Sequence, residues 1–175
     1  MKKLLLTLII LSGTAVCCFA QETTTVSNSS TGAGVKFSIG AEAALPVGDI
    51  SNLYSYVIGG SVKAEIPTAN HTFLTLSAGY NSWMVKSDLK GLLGSSSTGF
   101  VPLKAGIKYY SDGNFFLEGQ AGIVFSTESD GGHAFVFSPG IGYTFNGGFE
   151  AGLRYEGWSN GGTTSQVGLR LAYRF

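Results

Sequence analysis

Apolar and polar residues alternate with a period of two from Val35 to the last residue, Phe175. This period places successive side chains on opposite faces of a β-strand. The pattern predicts eight strands, at residues 35–45, 56–66, 72–84, 100–110, 115–125, 134–145, 149–158 and 165–175. No helical periodicity separates them, so the chain is predicted to be an all-β protein.

The connections between the predicted strands alternate in length. Tight turns rich in Pro, Asn, Asp and Gly are predicted at residues 67–71, 111–114 and 146–148. Longer connections are predicted at residues 46–55, 85–98, 126–133 and 159–164. This alternation predicts an antiparallel up-and-down meander with the longer connections at one end.

All the charges within the predicted strands lie on the polar face. They are Lys36, Glu42, Lys63, Glu65, Lys104, Lys108, Glu118, Glu150, Arg154, Glu156, Arg170 and Arg174. The same face carries many glycines, and small residues beside long ones suit the narrow interior of an eight-stranded barrel. We therefore expect this face to line a lumen in which acids and bases neutralise one another.

Aromatic residues lie toward the strand ends on the apolar face. They are Phe37, Tyr56, Tyr80, Tyr109, Phe115, Phe125, Phe135, Phe145, Phe149, Tyr155, Tyr173 and Phe175. Aromatic rings at both ends of an aliphatic band are typical of outer-membrane barrels, and strands of about ten residues can cross the hydrocarbon. The pattern thus predicts an eight-stranded antiparallel up-and-down transmembrane β-barrel. A soluble barrel, with the apolar face inward, is the alternative.

Two prolines, Pro102 and Pro139, fall inside predicted strands. A proline has no N–H to donate to a strand ladder. We therefore expect bulges or missing ladder bonds at both positions.

The N-terminus has the features of a secretory signal peptide, which is predicted to span residues 1–20. Both cysteines, Cys17 and Cys18, belong to it, and a lipoprotein anchored there is a second interpretation. A flexible leader is predicted at 21–34 and the barrel domain at 35–175. Without Lys2 and Lys3 the chain has 9 basic and 11 acidic residues, so its charge gives no indication of nucleic-acid binding.

Several segments together resemble a known group of barrels: "FSIGAEAALPVGD", "PLKAGIKYY", "PGIGYTF" and "GLRYE". They are similar to the small porin-like outer-membrane β-barrel domain of Bacteroidetes-type bacteria, related in architecture to the OmpA and OmpX barrels. The closing "VGLRLAYRF" resembles the assembly signal of Gram-negative outer-membrane proteins. The resemblance implies location in the bacterial outer membrane, contact with its lipids, and recognition of the C-terminal strand ending at Phe175 by the barrel-assembly machinery.

Candidate catalytic groups are few. His71 lies in a short turn and His133 in a longer connection, so the two histidines should lie at opposite ends of the barrel. Glu128, Asp130 and His133 share one connection and make a rim hydrolase an alternative, although a polar loop is the simpler interpretation. Asp112 in "SDGN" is interpreted as a turn residue rather than a calcium ligand. We expect no enzymatic activity, no catalytic or metal-binding residues, and no cofactor.

Two functions remain open for the lumen. Three arginines, Arg154, Arg170 and Arg174, face Glu118, Glu150 and Glu156 across it, and these charges could line a narrow porin-like channel. Because an unpaired buried charge is costly, we favour a plug in which each charge is satisfied by another. We expect both chain termini in the periplasm, and a structural or surface-interaction role for the longer connections, with an unidentified surface ligand.

Overall fold

A computed structural model describes residues 34–89, 95–111, 113–128 and 131–175. The predicted signal peptide, 1–20, and the predicted leader up to residue 33 lie outside the described residues. So do Asp112 and Asp130, two of the candidate residues named above.

The described residues form eight strands, which together cover most of the barrel domain. They are β1 (Lys36–Val47), β2 (Tyr54–Ala69), β3 (Thr72–Val85), β4 (Ser97–Tyr110), β5 (Phe115–Ser126), β6 (His133–Thr144), β7 (Phe149–Ser159) and β8 (Thr163–Arg174). Short 3-10 helices follow β1 at Asp49–Asn52 and β3 at Ser87–Leu89. In the part of the chain that the structure describes, no helix is long and apolar enough to cross a bilayer.

The strands form a closed barrel in chain order, in which each strand is antiparallel to both neighbours. Closure occurs where β1 pairs with β8, and this seam continues to the last residue. The Phe175 N–H donates to the Phe37 carbonyl oxygen at 2.9 Å, and the Phe37 N–H donates to the Phe175 carbonyl oxygen at 3.2 Å. The C-terminal residue is therefore held by the strand ladder, whereas its role in assembly stays a prediction.

Pro102 and Pro139, the two prolines of the predicted strands, interrupt the ladder on one side only. Pro102 pairs with Val124 of β5, but the pairing of β3 with β4 skips residues 101 and 102. Pro139 pairs with Gly119 of β5, but the pairing of β6 with β7 skips residues 138 and 139. The expectation of missing ladder bonds is confirmed, because a residue without an N–H can complete the ladder toward one neighbour at most.

The connections alternate as predicted, with one exception. Residues 70–71, 111–114 and 145–148 join strands at what we call the short-turn end. Residues 48–53, 86–96 and 127–132 join them at the opposite, long-connection end. The predicted longer connection at 159–164 is wrong, because only residues 160–162 separate β7 from β8. Gly161 has a φ of 68°, and the Asn160 N–H donates to the Gly162 carbonyl oxygen, so a tight turn joins these strands.

The apolar face lies on the outside of the barrel. All twelve aromatic residues assigned to the two girdles are exposed there, as are the aliphatic residues between them. The alternative of a soluble barrel is wrong, because such a barrel would bury this face in its interior.

Candidate functional site

The lumen contains the twelve strand charges that the alternation assigned to it. Eight of them are buried: Glu42, Lys63, Glu65, Lys104, Lys108, Glu150, Glu156 and Arg170. Together with Glu118, Arg154 and Arg174 they form ion pairs that we call the ionic network. Lys36 lies outside the network, with its ammonium nitrogen 5.2 Å from the centre of the Phe73 ring.

One part of the ionic network spans the β1–β8 seam. The guanidinium of Arg154 makes a bidentate contact with Glu42, with N–O distances of 2.8 and 2.5 Å. Arg170 of β8 has its Nε 3.7 Å from Glu42 of β1. The same nitrogen donates a hydrogen bond to the Ser61 hydroxyl, and a terminal guanidinium nitrogen donates one to the Ser38 hydroxyl. Since these groups lie on strands from opposite ends of the chain, the network holds the barrel closed from inside.

A second part lies toward the short-turn end. Lys108 is fully buried and donates hydrogen bonds to Glu65, at 2.7 Å, and to Glu150. Glu150 also accepts a bond from Arg170 at 3.4 Å, and Lys63 pairs with Glu118 at 2.7 Å. Each lysine in this layer therefore has at least one carboxylate within contact distance, as a plug requires.

Glu156 is the junction between the ionic network and the long-connection end. Its carboxylate accepts a bond from Lys104 at 2.6 Å and lies 3.4 Å from Arg154. It also accepts bonds from the Trp158 indole N–H at 2.8 Å and from the Gln166 amide at 3.0 Å. A buried carboxylate with this many donors is fully compensated for its loss of water.

Above Glu156, an apolar group fills the lumen at the long-connection end. We call it the upper aromatic cluster: Val57, Trp83, Val124, Val136 and Trp158, with Tyr54 and Phe100 packed against it. The Trp83 and Trp158 ring centres are 4.9 Å apart, and Phe100 lies 4.9 Å from Trp158. These rings close the lumen at this end.

A smaller aromatic group, the lower aromatic cluster, lies at the short-turn end. It contains Phe73, Tyr110 and Phe116, whose neighbouring ring centres are 5.6 and 5.7 Å apart. The Lys108 ammonium lies 3.9 Å from the centre of the Phe116 ring, which links this cluster to the ionic network. Room for Phe116 comes from Gly142, where an added Cβ would lie 2.2 Å from the Phe116 ring.

The ionic layer formed by the described residues contains small cavities. Two cavities described within the ionic layer have volumes of about 20 and 10 Å³. A cavity needs roughly 10–15 Å³ to hold one water molecule. Each of these cavities therefore has room for about one water molecule and not for a continuous file of solvent.

Sequence reasoning missed both aromatic clusters, because it followed only charged and small residues on the inner face. The phase of the alternation contains the missing signal. Trp83 shares its face with Asn81, and Trp158 shares its face with Glu156. A large apolar residue in phase with the charges could have been assigned to the lumen.

At the long-connection end, two connections are joined above the upper aromatic cluster. The Lys86 N–H donates to the Leu53 carbonyl oxygen at 3.0 Å, which ties residues 48–53 to the start of 86–96. Ile50 packs against the upper aromatic cluster, and Leu53 remains exposed. We call residues 48–53 together with Lys86–Leu89 the rim platform.

The candidate catalytic residues are not brought together in the part of the chain that is described. His71 lies in the 70–71 turn and His133 begins β6, so the two imidazoles are at opposite ends of the barrel. Glu128 is exposed in the 127–132 connection, and its predicted companion Asp130 lies outside the described residues. Within the described ranges, no group of three His, Cys, Asp or Glu residues is placed to hold a metal ion.

Comparison with solved structures shows the same architecture in small bacterial barrels. The N-terminal β-barrel domain of Pseudomonas aeruginosa OprF matches with a TM-score of 0.56 and 16% identity, covering 80% of this chain and 97% of that one. The Yersinia pestis attachment invasion locus protein, Ail, matches with a TM-score of 0.57 and 17% identity, covering 81% and 99%. The chain has the fold of the small bacterial outer-membrane β-barrels.

A third match has a different function within the same fold. The outer-membrane enzyme PagL has a TM-score of 0.53 and 16% identity, covering 79% of this chain and 98% of that one. No protein-family model and no curated protein matches the sequence. The shared fold and the apolar outer surface support an outer-membrane location for this small outer-membrane barrel, whereas identities this low carry no activity from one barrel to another.

Proposed function

We propose that this chain is a closed outer-membrane barrel that acts through its long-connection end, as a surface-interaction protein rather than as a channel or an enzyme. The observation that carries the proposal is the filled lumen. The ionic network occupies its middle, and an aromatic cluster lies at each end of the network. A solute would have to displace buried ion pairs and packed rings to pass, so the exposed connections are the part of the protein left to meet a partner.

The rim platform supports this role. It rests on the upper aromatic cluster through Ile50, and its two segments are bonded to each other by backbone groups. A connection held in this way loses little conformational entropy when a partner binds. The exposed side chain of Leu53 adds an apolar contact point to the platform.

The charge of the longer connections indicates which kind of partner they could bind. The three longer connections contain four acidic residues, Asp49, Asp88, Glu128 and Asp130, and two basic ones, Lys86 and Lys90. Ail has been solved in complex with the heparin analogue sucrose octasulfate, a highly anionic ligand. The acidic excess in this chain disfavours such a ligand, so we propose a partner with a neutral or basic contact surface.

The topology defines the orientation that we propose. With eight strands, β1 begins and β8 ends at the short-turn end, where Phe37 bonds to Phe175. We propose that this end faces the periplasm and that the rim platform faces the cell exterior. Outer-membrane barrels generally have short periplasmic turns and longer extracellular loops.

A closed lumen predicts no steady ionic current. The mature barrel, reconstituted in planar phospholipid bilayers, should show no stable single-channel steps under an applied voltage. Folded protein is verified on the same sample by the difference in gel mobility between heated and unheated barrel. A reproducible stepwise conductance would contradict the plug and favour the narrow porin-like channel.

The proposed role of the long-connection end predicts a partner interaction that depends on the 86–96 connection, which contributes Lys86–Leu89 to the rim platform. Barrels in lipid nanodiscs are tested on an array of extracellular-matrix proteins and glycans. We expect binding to at least one member, and loss of that binding when 87–95 is replaced by a short Gly-Ser turn. The matched control replaces residues 112–114 at the short-turn end, and it should bind as the unchanged barrel does. Binding that survives the first replacement, or no binding at all, would overturn the surface-interaction role.

A further inference from the structure

The outer face of the barrel carries a groove where β5, β6 and β7 lie side by side. It is a shallow depression that is open on its lipid side, with a volume of about 660 Å³. Its walls are the outward side chains of Ile107, Leu117, Leu153 and Tyr155. The groove lies within the apolar outer surface and not at the rim.

The floor of the groove lies at the level of Gly119 in β5 and Pro139 in β6, where neither strand has a large outward side chain. Gly119 of β5 pairs with Ile107 on one side and with Pro139 of β6 on the other. Gly119 has no side chain, and a Cβ added there would meet nothing within 4 Å. The outer surface is therefore raised by the Ile107 side chain and recessed at Gly119, the residue paired with it.

The interrupted ladder makes the groove a built feature of this wall. The pairing of β6 with β7 stops at Phe137 with Gly157 and resumes at Gly140 with Arg154, so Pro139 faces Tyr155 without a ladder pair. The groove follows from backbone pairing and from the proline ring, which are both fixed when the barrel closes. It is therefore present before any ligand arrives.

The chemistry of the groove admits an alkyl chain. The strand charges point into the lumen, including Glu118 and Arg154, whose chain positions line the same wall. The rings of Tyr109 and Tyr155 border the groove, and the surface between them is continuous with the lipid-facing band. An apolar recess inside the hydrocarbon region excludes a polar solute, because such a solute would lose its hydration without compensation.

We infer that this groove is a binding site for one acyl chain of a membrane phospholipid. Leu117 lies two residues after β5 begins, so the groove is nearer to the short-turn end than to the rim platform. The choice of the periplasmic leaflet, and hence of a phospholipid, rests on the orientation proposed above. A chain seated there fills the recess left by Gly119 and packs against Ile107 and Leu153, in contacts that a moving annular lipid makes only briefly.

The inference is tested by filling the recess from the protein side. The Gly119→Leu variant places a side chain in open space, so the barrel should still fold, which heat-modified gel mobility verifies. The matched control is Ala121→Leu, which enlarges the next outward residue of β5 outside the groove lining. All three proteins are reconstituted in phosphatidylethanolamine vesicles, released in mild detergent, and weighed by native mass spectrometry.

The unchanged barrel and Ala121→Leu should each retain one more phosphatidylethanolamine molecule than Gly119→Leu. Equal retention by all three proteins would overturn the inference, as would the absence of any retained lipid on the unchanged barrel. If the lumen conducted ions, or if the rim platform bound no partner, the difference in retained lipid among the three proteins would still be expected. The failure of the lipid site can therefore be told apart from the failure of the proposed function.

Discussion

Replacing Glu156 by glutamine should lower the free energy of unfolding by about 3–5 kcal/mol, the usual cost of removing one partner of a buried ion pair. Glutamine keeps the shape of the side chain and can still accept bonds from Trp158 and Gln166. The loss therefore reports the missing charge, which leaves the Lys104 ammonium buried 2.6 Å from a neutral group. The measurement is urea unfolding of the barrel in micelles, followed by gel mobility and by the fluorescence of its two tryptophans, Trp83 and Trp158.

Two further variants separate charge from packing. Glu128→Gln changes an exposed carboxylate in the 127–132 connection and should shift the unfolding free energy by less than about 0.5 kcal/mol. The double variant Lys104→Met with Glu156→Gln should recover most of the lost stability, because it removes the unpaired ammonium and keeps an acceptor for the Trp158 and Gln166 donors. If the Glu156→Gln and Glu128→Gln variants had the same free energy of unfolding, the ionic network would not stabilise the closed barrel as described.

Placing arginine at Leu103 should destabilise the barrel in bilayers by about 2–4 kcal/mol, the depth-dependent cost of a cation on the lipid-facing side. Leu103 is exposed on the outer face of β4 and pairs with Ile123 of β5. An arginine there cannot turn into the lumen, because successive residues of a strand alternate between faces. Reversible unfolding in phospholipid bilayers measures the effect.

The matched control for this variant is Thr163→Arg, at an exposed position where β8 begins at the long-connection end. There the guanidinium reaches water, and the cost should be about 0–1 kcal/mol. Equal stability of the two variants would contradict a lipid-facing band at Leu103. Recovery of the unchanged barrel as a folded, monodisperse protein in detergent-free buffer would contradict it more broadly.

A filled lumen has a consequence for how this fold is used. Eight strands enclose an interior that side chains can fill completely, so the barrel itself serves as a scaffold. The OprF domain, Ail and the enzyme PagL all share this fold, so the fold alone does not define a function. In this chain, we propose the rim platform and the groove at Gly119 as surfaces that a ligand contacts.

The strands could be predicted from the sequence because alternation is a local property. Each of the eight predicted segments overlaps one strand, and the predicted ends differ by a few residues at most. The error at 159–164 came from treating "SNGG" as part of a long connection. Asn-Gly is a strong signal for a tight hairpin turn, and it applies here.

The direction of each strand side chain, inward or outward, could also be predicted, whereas the set of side chains that fill the lumen was predicted only in part. Every strand charge faces inward and every girdle aromatic faces outward, as the period of two requires. The prolines at 102 and 139 interrupt the ladder because the missing N–H is a property of the residue. These features depend on one residue and its immediate neighbours, so no knowledge of the closed barrel is needed to foresee them.

Partner choice inside the lumen required the three-dimensional structure. Glu42 bonds to Arg154 and Lys63 bonds to Glu118, pairs separated by 112 and 55 positions in the chain. Which charges meet depends on the stagger between strands around the whole barrel, and alternation carries no information about stagger across several strands. The same holds for the contact between Trp83 and Trp158 and for the groove at Gly119. Strand identity and side-chain direction are local consequences of the amino-acid order, whereas the contacts across the lumen exist only because barrel closure brings distant strands together, and the groove at Gly119 depends on the register of neighbouring strands.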